Sequence, residues 1–415
     1  MYDIIVIGGG AAGMLAATTA AQRKANVLLL EGNKQLGKKL SITGKGRCNL
    51  TNNCSVSEAL DNIPTGNQFL HSAMNAFAPA DCIAFFESLG VQLKTERGNR
   101  VFPISDKASD VVNALIKHVK ECGVAIKHTK ATDIMAKNGE VFAVETANGQ
   151  LPCKTVILAS GGLSYPATGS TGDGYSFSRS LGHTITPLKG SLVPIEAEPA
   201  ICSAMQGLTL KNVALKIFSN SQKLIYSDFG EILFTHFGLS GPMALSASAH
   251  LRDFYKEKYH AFLDFKPALD EKTLDMRILR DFEKYANRDF LNALGDLLSR
   301  ASIPIIINKS GIDPHTKVHS ISREQRMGLV RLLKAFRIDI TGLRPVEEAV
   351  ITSGGVDLRE INPKTMESKL VKGLYFAGEI IDADAYTGGF NLQIAWSTGF
   401  AAGAAASASV SRIGD

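Results

Sequence analysis

The 415-residue chain has a single tryptophan, six cysteines and almost no charge imbalance. No two of its cysteines form a C-x-x-C pair, and all six (Cys48, Cys54, Cys82, Cys122, Cys153 and Cys202) lie in the first half. A zinc ribbon or a disulfide framework needs closer pairing, so reduced thiols in a cytoplasmic protein are expected. Lys and Arg number 45 against 40 Asp and Glu, a net +5. That excess is too thin to mark an obligate nucleic-acid binder. No uninterrupted apolar stretch is long enough to span a bilayer, and no basic leader precedes Asp3, so a soluble protein without membrane contact is expected. His315 and His319 stand at i, i+4, but Pro314 and Ser320 favour a loop there and no nearby carboxylate completes a metal set, so no metal is assigned.

Glycine is what the chain has in quantity, and its placement is informative. An apolar run from Tyr2 to Ile7 reads as a buried parallel strand and leads into Gly8-Gly9-Gly10-Ala11-Ala12-Gly13. Gly8, Gly10 and Gly13 have the G-x-G-x-x-G spacing of a strand-to-helix turn that cradles a pyrophosphate. Gly8 permits the tight turn, Gly10 lets phosphate reach the backbone, and Gly13 lets the helix pack on the strand. A second strand, Asn26 to Leu30, ends in Glu31, 18 residues beyond Gly13. An acid there can accept hydrogen bonds from both hydroxyls of an adenosine ribose.

Downstream, the basic glycine-rich stretch from Gly37 to Asn52 reads as a loop running along the cofactor, with its lysines facing either an anion or solvent. Residues 68–90 read as two helices split at Pro79, Arg97 to Pro103 as a turn, and Asp106 to Glu121 as an amphipathic helix. Strands follow at Ala125 to His128, Thr132 to Met135 and Val141 to Glu145, the last two joined at Asn138-Gly139. Thr155 to Ala159 is a buried strand ending in the small residues Ser160, Gly161 and Gly162. The glycine-rich run from Ser164 to Tyr175 lacks the dinucleotide spacing and reads as a loop over the first cofactor.

From Ser191 the pattern changes to short β-like runs: Leu192 to Ala197, Leu208 to Phe218, Lys223 to Tyr226, Glu231 to Thr235 and Tyr259 to Phe265. Residues 268–334 turn helical, with candidates at Leu274 to Tyr285, Phe290 to Leu298 and Arg323 to Ala335. Strands resume at Phe336 to Ile340 and around Ala349 to Val356. A final strand from Gly373 reaches Glu379 and Asp382, and Gly388-Gly389 opens an alanine-rich last helix.

Four strings, Gly44-Lys-Gly-Arg-Cys-Asn-Leu-Thr-Asn52, Phe234-Thr-His-Phe-Gly-Leu-Ser-Gly-Pro242, Asn362-Pro-Lys-Thr-Met-Glu-Ser-Lys369 and Gly388-Gly-Phe-Asn-Leu-Gln393, carry a more particular resemblance. With the two chain ends, they resemble the BaiN-like (aminoacetone oxidase-like) family of NAD(P)/FAD-dependent oxidoreductases over nearly the whole chain. The resemblance implies an α/β fold: a Rossmann-like two-dinucleotide-binding FAD domain (1–190 and 351–415), an inserted β-rich domain (191–267 and 335–350) and a nested helical domain (268–334). It implies that FAD is held by Gly8, Gly10, Ala11, Ala12, Gly13, Glu31, Lys39, Gly46, Arg47, Cys48, Asn49, Thr132, Ala159, Ser160, Gly161, Gly378, Glu379, Gly389, Asn391, Leu392 and Gln393. The N-terminus of the last helix would then face the flavin ring and stabilise the negative charge of its reduced form.

Cys48 and Cys54 are separated by five residues, unlike the redox pair of the disulfide reductases, which argues against a disulfide relay. No second G-x-G-x-x-G is present, so NAD(P)H would visit the flavin only transiently. The expected activity is reduction of an activated C=C bond in a small organic substrate by flavin hydride; the alternative is oxidation of an amine with oxygen. His236, Cys48 and Tyr386 are the candidate acids, His236 reading equally as a hydrogen-bonded structural histidine. A flavin redox sensor and an RNA-modifying flavoprotein are other readings; the latter would need a basic, aromatic-lined surface, and the charges are scattered along the sequence.

Overall fold

The computed structural model describes residues 1–251 and 254–411. The chain divides into two units, Met1–Ser191 with Val346–Asp415, and Leu192–Pro345. In the first, five parallel strands run in the order Ala125–Lys127, Val27–Leu30, Tyr2–Ile7, Gly149–Leu158 and Leu374–Phe376. Ile4 and Val6 pack into one apolar cluster and Ile5 and Ile7 into another on the opposite face. Both faces are covered, which is why these strands read as continuous apolar runs instead of alternating ones.

The first helix, Ala11–Ala21, lies against the last, Phe390–Ser411. A Cβ on Gly399 would stand 2.5 Å from the Ala12 carbonyl oxygen and one on Gly403 2.4 Å from that of Ala16, so the two backbones touch where both helices carry small residues. Strand Gly149–Leu158 has two roles. Its first half closes an antiparallel meander with Ala131–Lys137 and Glu140–Thr146, and its second half belongs to the parallel sheet. The expected Asn-Gly turn is present, with φ of 53° at Asn138 and 76° at Gly139, both left-handed as a two-residue hairpin requires.

One expectation for this unit changes. Arg97 to Pro103 is not a plain turn: Leu93–Glu96 and Arg100–Pro103 form a hairpin, with Thr51–Asn52 as a third strand. The loop after Gly37 contains a left-handed turn, with positive φ at Gly44, Lys45, Gly46 and Cys48. The chain leaves and re-enters the unit through a small antiparallel pair, Lys189–Ser191 with Ile351–Ser353. Fully buried Asp384 accepts hydrogen bonds from Ser191 Oγ at 2.7 Å and Ser353 Oγ at 2.9 Å, clasping both crossings.

The second unit is a closed antiparallel barrel in the order Ile195–Ala197, Gly238–Ser240, Leu224–Phe234, Thr209–Ser219, Tyr259–Asp264 and Phe336–Leu343. Between its last two strands the chain forms helices Glu271–Lys284, Ile303–Ser310 and Arg323–Lys334. One apolar cluster runs from Ile217 and Leu263 of the barrel into Leu274, Ile306 and Leu329 of the helices, so they share a core. Leu224–Phe234 is a single 11-residue strand, although the polar Ser227-Asp228 had split it in sequence. The expected helix Phe290 to Leu298 is only a 3-10 turn at Phe290–Asn292. Helix Ile303–Ser310 was missed because its isoleucine run around Pro304 lacks a helical period.

Candidate active site

The glycine turn has the shape its spacing predicts. Gly8 has φ +106°, and a Cβ there would lie 2.4 Å from the Ala159 carbonyl oxygen; one on Gly13 would lie 1.8 Å from that of Gly8. These two positions are closed to side chains by the protein itself. Gly10 differs: a Cβ there would meet nothing within 4 Å. No packing partner accounts for its missing side chain, whereas a phosphate beside the first helix N-terminus would. Ala11 and Ala12 form the first turn of that helix.

Across from it, Gly378 (φ +76°) follows the last parallel strand, and a Cβ there would lie 2.9 Å from Ala12 Cβ. The two ends of the chain therefore meet at the phosphate position. Glu31 Oε2 accepts from the Gly9 amide at 2.8 Å, and Oε1 from the amide and Nδ2 of Asn33 at 2.7 and 2.8 Å. A carboxylate offers about four lone-pair sites, so one stays open to a ribose hydroxyl. Thr132 lies exposed near the start of the meander. Ala159 is buried just past the end of its strand, and the hydroxyl of Ser160 is buried with no hydrogen-bond partner.

Lys39, Glu379 and Ser164 form a network beside Gly161 and Gly162. The ammonium of Lys39 contacts both Glu379 Oε2 and Ser164 Oγ, while Glu379 Oε1 accepts from Ser164 Oγ and, at 2.8 Å, from the Thr352 amide. Burial pushes the Glu379 carboxyl up, but Lys39 and these donors outweigh it and hold the group below the usual carboxylate range. Lys39 and Glu379 thus brace the loop from Gly161 to Ser164 by their side chains.

The two strings Gly44–Asn52 and Gly388–Gln393 form one structure. Thr51 Oγ1 donates to Gln393 Oε1 at 2.6 Å, Asn52 Nδ2 to the Gly388 carbonyl at 3.1 Å, and Trp396 Nε1 to the Leu50 carbonyl at 3.0 Å. A Cβ on Gly389 would fall 2.4 Å from the Thr51 carbonyl oxygen. This lock engages several of the residues expected at the cofactor. Buried Gln393 is committed to Thr51, Phe77 and Ser397, and Asn391 grips the Ala385 amide and carbonyl. The amides of Phe390, Asn391 and Leu392 lie in the first helical turn, before the first intrahelical bond from Gln393 to Gly389.

The Arg47 side chain has protein partners. Its guanidinium binds Glu96 and Asp106, which raise its pKa, and lies 4.1 Å over the Phe102 ring. Gly46 is exposed. Cys48 is fully buried in the apolar cluster of the first helix, and burial pushes its thiol up to about 12. A thiol so placed does not ionise near neutral pH and is a poor proton donor or nucleophile. Beside it, Asn49 Oδ1 is buried without a partner. Tyr386 is half-buried in the loop leading to the last helix, with its amide on the Asn62 carbonyl. His236, in the second unit, is exposed, its ring edge-to-face with Phe237 at 5.0 Å. Sequence reading missed Asp384 and Thr352, whose roles depend on residues far away in the chain.

The open face of Gly10, the orphaned acceptor Asn49 Oδ1 and the first amides of the last helix, which precede its first intrahelical bond, fit FAD: phosphates at the first turn, and a ring edge with both N–H and oxygen groups at the last. Among the described residues, no helix is long and apolar enough to cross a membrane.

Residues 2–405 match the family model described as HI0933-like protein Rossmann domain. A 3-dehydro-bile acid delta(4,6)-reductase of Clostridium scindens is 30% identical over 92% of this chain and 93% of its own. A ribosomal RNA dihydrouridine synthase of Escherichia coli is 27% identical over 96% of each. The structure of a 3-ketosteroid-delta4-(5alpha)-dehydrogenase from Rhodococcus jostii superposes with a TM-score of 0.54 at 14% identity, covering 98% of this chain and 96% of that one, which speaks to the fold alone. Matched from its first strand into its last helix, this chain belongs to the HI0933-like family of flavoproteins and is an FAD-dependent oxidoreductase.

Proposed function

We propose that this enzyme reduces a C=C bond conjugated to a carbonyl, with NAD(P)H as the electron source. The observation that carries this reading is the open face of Gly10 at the first helix N-terminus, which fits the FAD that such a reduction needs. Two relatives aligned over more than nine-tenths of both chains support the same chemistry, one named as a delta(4,6)-reductase and the other for making dihydrouridine, the product of saturating the uracil C=C.

FAD supplies the hydride when bound. The glycine turn and Glu31 hold its adenosine end, and the amides of Phe390 to Leu392 offer partial positive charge to the other. The carbon next to the carbonyl then needs a proton. Tyr386, four residues before the last helix, is the donor we favour over buried Cys48. Anaerobic mixing tests the reading: NADH or NADPH should bleach the flavin within seconds, and an enone or uridine should restore its colour. Bleaching by an amine alone, with rapid recovery in air, would make the enzyme an oxidase instead. Tyr386→Phe should keep the first half-reaction and lose the second.

A uridine in RNA is a second substrate reading, favoured by the ribosomal RNA dihydrouridine synthases of Escherichia coli and Haemophilus influenzae, each 27% identical over 96% of this chain.

A further inference from the structure

The hairpin of Leu93–Glu96 and Arg100–Pro103 carries more positive charge than its fold uses. Its register sets Lys94 opposite Phe102 and Glu96 opposite Arg100, with Thr51–Asn52 paired along the far side of the second strand. Two carboxylates lie here, and both are already answered. Glu96 pairs with Arg47, and Asp106 pairs with Arg47 and, at 2.8 Å, with Lys94. Arg97 and Arg100 are left over: among the described residues neither has an ion-pair partner. Arg100 donates from Nε to the Arg97 carbonyl at 3.0 Å, which folds its guanidinium back over the tip and leaves its other N–H groups for a ligand. A single exposed arginine is ordinary. Two of them beside Arg47 and Lys94, with no free carboxylate to face, repel their neighbours and add nothing to the stability of the hairpin.

The tip is also held in one place. Gly98 and Asn99 turn the chain with φ of 75° and 57°. Asn52 Nδ2 donates to the Gly98 carbonyl at 2.9 Å and to the Gly388 carbonyl at 3.1 Å, and the Asn53 amide donates to the Asn99 carbonyl at 2.7 Å. One asparagine side chain therefore ties the arginine tip to the glycines that open the last helix, whose first amides suit the flavin ring.

We infer that Arg97 and Arg100 bind a phosphate group of the nicotinamide dinucleotide that reduces the flavin. The sequence has no second dinucleotide turn, so this donor must find its anion site elsewhere, close to the ring. Guanidinium forks match phosphate oxygens in shape and charge, and Arg47 and Lys94 neutralise the two carboxylates that would repel them. The 2′-phosphate of NADPH and the pyrophosphate of either dinucleotide share this chemistry. The inference rests on NAD(P)H as the electron source in the reading above and does not depend on the acceptor.

The test mixes holoprotein anaerobically with NADPH, NADH or N-benzyl-dihydronicotinamide, a hydride donor without phosphate, and follows the loss of flavin absorbance. In the double variant R97Q/R100Q the dinucleotide concentration that gives half the limiting rate should rise at least about tenfold. The limiting rate, the melting temperature and bleaching by the benzyl compound should keep their wild-type values. Arg97→Gln alone, at an exposed position without a side-chain partner, should show a smaller rise of the same kind. Added salt should weaken the wild type toward the variant. A rise for NADPH alone assigns the 2′-phosphate, and a rise for both dinucleotides assigns the pyrophosphate. Unchanged half-saturation in variants that melt as wild type, an equal loss with the benzyl compound, or a wild-type flavin that neither dinucleotide bleaches would each overturn the inference. Half-saturation that depends on the arginines, in an enzyme whose bleached flavin neither enone nor uridine reoxidises, would instead sink the C=C reading and leave the phosphate site standing.

Discussion

The Gly8–Gly13 turn and the Gly44–Asn52 string are both glycine-rich and both looked like cofactor contacts, although the first follows a strand of the parallel sheet and the second ends in a strand of the small three-stranded one. They differ in what their atoms have left to give. In the first, Gly10 faces open space and the helix amides are uncommitted; in the second, Arg47, Thr51 and Asn52 already hold protein partners, and Cys48 is sealed in apolar packing. A motif near a ligand can serve it by touching it or by fixing what touches it. Only the partner of each side chain tells the two apart.

The largest effect that could break this comparison is Gly10→Val. The apo fold has room for the side chain, so melting should hold while FAD content drops to nearly nothing; a variant that keeps its yellow colour would refute the phosphate assignment. Gly13→Ala should behave in the opposite way and melt early, because its Cβ would collide with the Gly8 carbonyl oxygen. Next in size is Gln393→Ala, which leaves the Thr51 hydroxyl without its partner in the interior, the Phe77 carbonyl keeping Ser397, and should cost about 1–3 kcal/mol of stability. If the residue is a brace and not a flavin ligand, the folded fraction still binds FAD, and a loss of affinity without a loss of melting temperature would reverse that assignment.

A pH effect of intermediate size comes from buried His183. Its Nε2 meets Ser368 Oγ at 2.8 Å, its Nδ1 has no partner, and burial lowers its pKa despite nearby Glu360. The fold therefore prefers the neutral ring. Its contribution is complete above the ordinary histidine value of about 6.5 and is lost as pH falls through the lowered folded value. Urea midpoints measured from pH 7.5 down to 5 should fall, and His183→Phe should flatten that slope; parallel slopes would rule the residue out. The smallest effect belongs to Arg47→Ala, whose exposed ion pairs contribute little. Flavin content and melting should match wild type, and a marked loss of FAD would return this side chain to the cofactor.

Much of the architecture was legible because its signals are local. The Tyr2–Ile7 strand, the glycine turn, the Asn138-Gly139 hairpin and the helix break at Pro79 each follow from a few adjacent residues. Strand Leu224–Phe234 was not legible whole, since its polar centre sits on a long hairpin where solvent faces the residues that sequence reading took for a turn. The fate of Arg47 was hidden for a related reason: Glu96 and Asp106 reach it only after the Leu93–Pro103 hairpin folds.

The paired crossings at Lys189–Ser191 and Ile351–Ser353 have an architectural consequence. Because the chain departs and returns on neighbouring strands, both clasped by Asp384, the 154 residues of the second unit hang from ends already side by side. Closing so long an excursion then imposes little entropy on the sheet, and its length hardly matters to that cost. The first unit can therefore keep its own sheet while the inserted unit is lengthened, shortened or exchanged.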